Sequence, residues 1–354
     1  MSVLAGFTRF VTLTEADVPQ LLQRIQDADL AVSGKRYGVA SRLIARPTAS
    51  VVDLATAACR KLLSLAAIHH SDLGALILSS RIKDPTTAAQ ELAHRLGLSC
   101  ASLGIERACS GFPAATALAI EQTRSRGRPV AVIAAEKISP NINWETATQQ
   151  LSDHRRARGQ AASLFADGAA GVLVLPEEND ANLAILDAWQ GEVEDHDELI
   201  KKTVVEQAVD PWGNTRPGAT ECMSMPGRRG FLLAKRAPQI MAQSISTSLA
   251  NIQAEHDRAP LTITHVVPHQ ASGIILTGLA RHFRRQDHVP HILKCIEHVG
   301  NTVSASIPTA MATVQEQLPP GALVAMPSVG AGGPGYRPDV LSTGCILLRV
   351  AGTV

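Results

Sequence analysis

Short apolar runs alternate along the chain with stretches in which apolar residues return every three or four positions. That alternation predicts strands followed by helices. Gly74 to Ser79, Pro129 to Ala135 and Gly171 to Leu175 read as buried strands, as do Thr262 to Val267, Ala322 to Met326 and Gly344 to Val350. Leu54, Ala55, Ala58, Leu62 and Leu65 have helical spacing, behind a start at Ser50–Asp53 that resembles a capping box. Further helices are predicted over Thr86 to Leu96, stopped by Gly97, over Pro238 to Ile252 and over Ser304 to Val314. Ahead of Ser50 the pattern weakens. Thr14 to Asp17 is expected to open a helix burying Val18, Leu21, Leu22 and Ile25, and Lys35 to Gly38 to form a turn.

The stretch from Ile105 to Ala115 stands apart from this rhythm. A strand from Cys100 to Ile105 runs into Cys109-Ser110-Gly111, and Pro113 then opens an alanine-rich helix that continues through Ile120. Proline suits a first helical turn, where its missing N–H has no partner to lose. Cys109 is thereby placed at a helix N-terminus, where unpaired N–H groups and the dipole favour a thiolate.

The second half repeats the order of the first. Ile296-Glu297 before Gly300-Asn301 resembles Ile105-Glu106 before the cysteine turn, and each is followed by an Ala/Ser-rich helix, a strand and a glycine-led last strand. The expected organisation is an α/β protein built from two duplicated halves, residues 1–181 and 182–354, whose helix N-termini converge on one pocket.

Composition narrows the function. The chain is 45% hydrophobic, yet only 3% aromatic, so its core is built from Ala, Val, Leu and Ile. A net charge of +1 argues against nucleic acid or a membrane surface as partner, and no aliphatic run is long enough to cross a bilayer. Six scattered cysteines with no CxxC pair point to a reduced, cytoplasmic chain without a disulfide framework or a zinc site. The start of the chain lacks the features of a signal peptide.

Three stretches carry candidate chemistry: Cys109, His269 after a buried strand, and Asn301 at a helix entry. Open α/β sheets place chemistry at such strand ends. A thiolate attacks an acyl group, and imidazole and carboxamide N–H groups then stabilise an oxyanion or enolate. Ala108-Cys109-Ser110-Gly111-Phe112, Pro268-His269-Gln270-Ala271, and Gly300-Asn301-Thr302 with Ser306-Ile307-Pro308 resemble the three catalytic motifs of the β-ketoacyl-acyl-carrier-protein synthase III family of the thiolase superfamily. Phe165 to Ala170 resembles that family's aspartate–glycine turn, and Met225 to Phe231 its segment lining the pantetheine tunnel.

The resemblance implies a five-layered αβαβα thiolase fold, normally a homodimer, with Cys109, His269 and Asn301 catalytic. It implies an oxyanion hole formed by the backbone N–H of Cys109 and of a glycine in the Gly330–Gly335 loop, here taken as Gly332. Gly227, Arg228, Arg229 and Phe231 are the expected contacts to tunnel or carrier. No metal or resident cofactor is expected, because acyl-CoA and acyl carrier protein thioesters are the substrates. The implied reaction is acylation of Cys109 followed by decarboxylative Claisen condensation with a malonyl-type thioester.

Some positions depart from the family pattern. The N-terminal Trp and Arg that grip the CoA nucleotide lack counterparts, with only Gly38 and Arg42 retained, and Ser272 and Ile274 replace an Asn and a basic residue after the histidine motif. Tyr336 to Leu341 and Trp144 to Gln160 read as extensions, which suggests a specialised fatty-acid or polyketide pathway. Basic groups at Arg155/Arg156/Arg158, Arg228/Arg229, Lys235/Arg236 and Arg281/Arg284/Arg285 are candidates for steering an acidic carrier. Two other readings use the same residues. One is an acyltransferase that hands the acyl group to an alcohol or amine, and the other a non-catalytic or half-catalytic subunit of a heterodimer. An acid-assisted variant of the chemistry finds no acidic residue at a motif position.

Overall fold

The computed structural model describes residues 4–26, 37–145, 161–176, 183–194, 201–224, 227–255, 261–333 and 337–351, some of them by backbone alone. In chain order the elements are β1 (Ala5–Phe7), β2 (Val11–Thr12), β3 (Leu22–Gln26), β4 (Ser41–Ala45), α1 (Val51–Ala66), β5 (Ala75–Ser79), α2 (Pro85–Arg95), β6 (Ala101–Ile105), α3 (Gly111–Arg126), β7 (Val130–Glu136) and β8 (Gly168–Leu175). There follow β9 (Leu183–Glu194), β10 (Lys201–Val205), β11 (Thr220–Ser224), α4 (Gly227–Glu255), β12 (His265–Val266), α5 (Gly273–Phe283), β13 (His291–Ile292), α6 (Ile296–Val299), α7 (Ser306–Val314), β14 (Leu323–Gly333) and β15 (Arg337–Val350).

The sheet order exposes the duplication. β1-β8-β7-β5-β6 lie side by side, and β9-β15-β14-β12-β13 repeat that arrangement. The directions repeat too. β7 and β6 flank β5 in parallel and β8 is antiparallel to β7, as β14 and β13 flank β12 in parallel and β15 is antiparallel to β14. β1 pairs with β9, joining the two sets edge to edge. The expected boundary at 181/182 lies outside the described residues.

Strand alternation builds the layers. In β7, Val130, Val132 and Ala134 face one core while Ala131, Ile133 and Ala135 face another, and in β14 Val324 and Met326 part in the same way from Leu323 and Ala325. The shared central core holds α3 and α7, through Phe112, Ala115, Ile307 and Met311. α1 and α2 cover the outer face of the first sheet, and α4 and α5 that of the second. Helices and sheets therefore stack as αβαβα. The first part of α3, Gly111 to Ile120, carries no charged residue because both its faces are covered, and the exposed Glu121, Arg124 and Arg126 follow where it leaves the core. Three of the six phenylalanines (Phe7, Phe10 and Phe112) meet there, with ring centroids 5.1–6.5 Å apart. The scarce aromatic bulk is thus concentrated beneath the cysteine turn.

Three expectations are corrected. Thr14 to Asp17 forms a turn closed by its own side chains instead of a helix, and Leu22 and Ile25 lie in β3, paired with β4. Pro19 interrupts any helix there by removing a donor and restricting Val18 before it. Pro238 lies inside α4 rather than opening it. The Gly330 loop is largely strand, since β14 runs on to Gly333 and pairs with β15. Tyr336 and the stretch 146–160, with Arg155, Arg156 and Arg158, lie outside the described residues.

Candidate active site

Two turns of the same construction meet at the centre of the molecule. Ala108-Cys109-Ser110 is a 3₁₀ turn leading into α3, with Ala108 at φ +45°. Val303-Ser304-Ala305 is its counterpart leading into α7, with Val303 at φ +52°. Each is closed by the same backbone bond, Ser110 N–H to Arg107 O and Ala305 N–H to Thr302 O, and a proline follows in each helix. The residue equivalent to Cys109 is therefore Ser304, and Asn301 stands three residues ahead of it. A positive φ at a non-glycine costs about 1–3 kcal/mol and persists only where the surroundings over-determine it. At the cysteine turn the Arg107 carbonyl accepts from the Ser110 N–H, the Ser110 hydroxyl and the Ser342 hydroxyl.

Close packing excludes side chains around Cys109. A Cβ on Gly111 would fall 2.2 Å from Ser79 Oγ, and one on Gly330 would fall 2.7 Å from the Cys109 backbone nitrogen. Gly330 of β14 is thus the glycine pressed against the cysteine turn. Gly332, expected to complete an oxyanion hole, lies two residues further along, beside an irregularity in the β14–β15 pairing. Cys109 is partly accessible and packs on an apolar cluster that includes Ile138, Leu164, Phe165, Met223 and Val303.

That setting corrects the expectation of a favoured thiolate. Burial pushes the Cys109 thiol up to about 12, with Arg81 pulling it down and Glu136 pushing it further up. Desolvation of the sulfur is the largest cause. The cysteine rests as a thiol.

His269 follows β12 and is fixed through its backbone, its N–H donating to Pro327 O at 2.9 Å. The ring is buried and its Nδ1 has no hydrogen-bond partner among the described residues. Burial lowers its pKa to about 3, so the imidazole is neutral. Gln270 secures the loop. It donates from Nε2 to Pro268 O, accepts at Oε1 from the Cys295 and Ile296 N–H groups, and donates its backbone N–H to Ser306 Oγ. Asn301 is held by its backbone to Leu164 and Ala166. Its Oδ1 accepts from Val303 N–H at 2.9 Å, which fixes the amide orientation, and Nδ2 donates to Ala271 O at 3.1 Å. The histidine and asparagine loops are thus directly bonded. A carboxamide carries two N–H donors, so one remains for a ligand.

Asp167 anchors this scaffold. It accepts from the N–H groups of Ala45, Ile138 and Ser139 and from the Ser139 hydroxyl. Arg42 is fully buried, donating to the carbonyls of Ala162 and Phe165 behind Asn301, so it does not reach out to a nucleotide. Gly227, Arg228, Arg229 and Phe231 open α4, but their side chains lie outside the described residues. A cleft of about 910 Å³ is lined by Val39, Gly273, Arg281, Lys294, Ile296 and Glu297 among others. Val39 and Ile296 also belong to the apolar cluster that packs on Cys109. Among the expected cationic groups Arg281 reaches this cleft, and Lys294 joins it.

Sequence reading named the Gly330–Gly335 loop but took Gly332 rather than Gly330, and it missed Arg81 and Glu136. The signal for Glu136 was a single acid closing an otherwise wholly apolar strand at its C-terminal end. Among the described residues, no group of three His, Cys, Asp or Glu is placed to hold a metal ion, and no helix is long and apolar enough to cross a membrane.

Duplicated sheets, central buried helices and a cysteine turn packed against the turn that follows Asn301 define a thiolase-fold enzyme. The family model for 3-oxoacyl-[acyl-carrier-protein] synthase III matches residues 103–191, and its C-terminal counterpart matches 254–335. A β-ketoacyl-[acyl-carrier-protein] synthase III of Roseiflexus sp. is 30% identical over 318 residues, covering 86% of each chain. A 3-oxopimeloyl-[acyl-carrier-protein] synthase of Rhodothermus marinus is 29% identical, covering 84% of this chain and 81% of its own. The crystal structure of 3-oxoacyl-(acyl carrier protein) synthase III from Pseudomonas aeruginosa superposes with a TM-score of 0.69 at 23% identity, covering 99% of both chains. The chain belongs to the β-ketoacyl-[acyl-carrier-protein] synthase III family, and it is an acyl-transferring condensing enzyme.

Proposed function

We propose that Cys109 is the acyl-accepting nucleophile and that His269 and Asn301 activate a malonyl-type thioester for condensation. The observation that carries this reading is the pairing of a buried, neutral imidazole with an oriented carboxamide on bonded loops. In the first half-reaction the Cys109 sulfur attacks the thioester carbonyl and the donor thiol leaves. The proton of the Cys109 thiol passes to the departing sulfur. In the second, N–H groups of His269 and Asn301 donate to the thioester oxygen of the extender. The C–CO₂ bond breaks, CO₂ leaves, and the enolate carbon attacks the acyl carbon on Cys109. The tetrahedral oxyanion is held by the Cys109 N–H and a neighbouring glycine N–H of β14, and its collapse releases a β-keto thioester and the cysteine.

Thioesters of coenzyme A or of a carrier protein are the substrates in this reading, and no resident cofactor takes part. The cleft beside Arg281 and Lys294 suits the phosphopantetheine arm of an acidic carrier. A homodimer is proposed as well. β6 pairs only with β5 in the described structure, leaving one edge of a half-buried strand unpaired, and a second copy is its expected cover. Six free cysteines fit a reducing, cytoplasmic setting.

The test is intact-protein mass spectrometry with acyl-CoA and acyl-carrier donors, followed by assay of CO₂ release from a malonyl thioester. Cys109→Ala is expected to take up no acyl mass. His269→Ala and Asn301→Ala are expected to acylate yet lose CO₂ release by roughly 100-fold or more. An acyl mass on Cys109→Ala, or a malonyl thioester consumed without CO₂, sinks the reading.

A further inference from the structure

Glu136 closes β7, a strand whose other six residues are apolar, and it is 1% exposed. A carboxylate removed from water needs donors aimed at it. Arg81 N–H reaches Oε2 at 3.1 Å, and the hydroxyl and N–H of Ser304 both reach Oε1. Burial raises its pKa to about 7, with Ser304 and then Arg81 opposing that rise. The charged or titratable groups facing it are Arg81 from the end of β5 and Cys109 from the turn ahead of α3.

The duplication explains why this contact is placed where it is. Counting from the paired positions Ala75–Val130 and His265–Val324, Glu136 occupies in β7 the place of Gly330 in β14. Ser304 likewise occupies the place of Cys109. Each half thus presses the end of its middle strand against the other half's turn. Where Gly330 leaves bare backbone beside the cysteine, Glu136 sends a carboxylate to the serine. That serine is the next residue after Val303, whose strained backbone N–H holds the Asn301 amide in orientation. One charge therefore reaches both catalytic turns.

We propose that Glu136 is a positioning residue of the condensing reaction. It acts through Ser304 to hold the turn that aims the Asn301 carboxamide, while its charge restrains the Cys109 thiolate. The assignment rests on the roles given above to Asn301 and Cys109. In this arrangement acylation and condensation answer to Glu136 in opposite senses. Loss of its charge favours the sulfur nucleophile, and loss of its hydrogen bonds loosens the carboxamide.

Two variants separate these effects. Glu136→Gln removes the charge, and its amide nitrogen cannot accept from Arg81 N–H. Ser304→Ala leaves the charge and removes the link. Alkylation of Cys109 by iodoacetamide should run roughly 3- to 10-fold faster in Glu136→Gln at pH 8, and the change in wild-type alkylation around pH 7 that follows Glu136 ionisation should vanish. On acylated enzyme, CO₂ release should fall roughly 10-fold in both variants, with alkylation unchanged in Ser304→Ala. Equal slowing of alkylation and CO₂ release in Glu136→Gln, or no change in either, overturns the proposal. If Glu136→Gln does not fold, an undiminished CO₂ release in Ser304→Ala overturns it alone. Wild-type protein that takes up no acyl mass would instead overturn the functional reading, because the alkylation comparison does not depend on it.

Discussion

The condensation proposed for this site needs His269 as a neutral imidazole, and burial supplies that form. A neutral imidazole donates from one nitrogen and accepts at the other, whereas an imidazolium only donates. Burial secures the neutral form by lowering the pKa from 6.5 to about 3, and it does so at a cost to stability in acid. Between those values the unfolded chain binds a proton that the folded chain does not. The stability contribution is therefore complete above pH 6.5 and is lost as pH falls toward 3. Glu136 works in the other direction, since its folded pKa of about 7 lies above 4.5 and folding takes up a proton between them. Replacing His269 by Asn leaves the Glu136 contribution in place and removes the histidine's. Urea denaturation at pH 7 and pH 5 should show wild type losing about 2 kcal/mol more than His269→Asn over that interval. Equal losses in the two proteins would mean that His269 is not held neutral by the fold.

At the scale of elements, the decisive contact is the approach of β14 to the turn ahead of α3. A strand comes this close to another backbone only where no Cβ intervenes, and at Gly330 the added atom would sit 2.7 Å from Cys109 N and 3.2 Å from its Cβ. Both neighbours belong to a strained turn fixed at Arg107, so the collision cannot be relieved by a rotating side chain. Gly330→Ala should lower the acylation rate of Cys109 by roughly 100-fold while CD spectra and oligomeric state remain those of wild type; acylation within twofold of wild type would show that the turn is free to move. Elements of this kind were only partly legible in the sequence. The buried strands β5, β7 and β8 and the capped helices α1 and α2 were, because an apolar run of strand length or a Ser50–Asp53 box encodes them locally. β1 and β2 carry too few residues to show a period, and β3 was mistaken for a helix because Leu22 and Ile25 satisfy helical spacing as well. The three motif residues were legible as positions at strand ends and helix entries. The Gly330–Gly335 loop was legible too, but not which glycine meets the cysteine turn, and Glu136 was not, since both depend on a contact between halves that are far apart in the chain.

At the scale of the molecule, one sheet topology used twice places two strained turns face to face, and their divergence in sequence puts a cysteine at one and a serine at the other. The same topology leaves an edge. Among the described residues β6 bonds to β5 on one side only, and its five residues Ala101 to Ile105 are all partly exposed. β13 presents just two residues at the far end of the second set. A short edge is a poor template, whereas a five-residue edge carrying Leu103 and Ile105 invites pairing unless something covers it. No covering charge or proline lies within β6, and the strand leads directly into the cysteine turn, so whatever pairs with it also braces Cys109. A second copy related by a twofold axis would pair its own β6 antiparallel to this one and extend the sheet. The protein is then expected to run at twice its 37.4 kDa chain mass in light scattering. Leu103→Pro, which removes an N–H and stiffens the strand, is expected to shift it toward the monomer and to slow acylation of Cys109 in parallel. Wild-type protein that scatters as a monomer at micromolar concentration while remaining fully active would refute the edge-to-edge assembly and leave β6 to be covered by some other part of the chain.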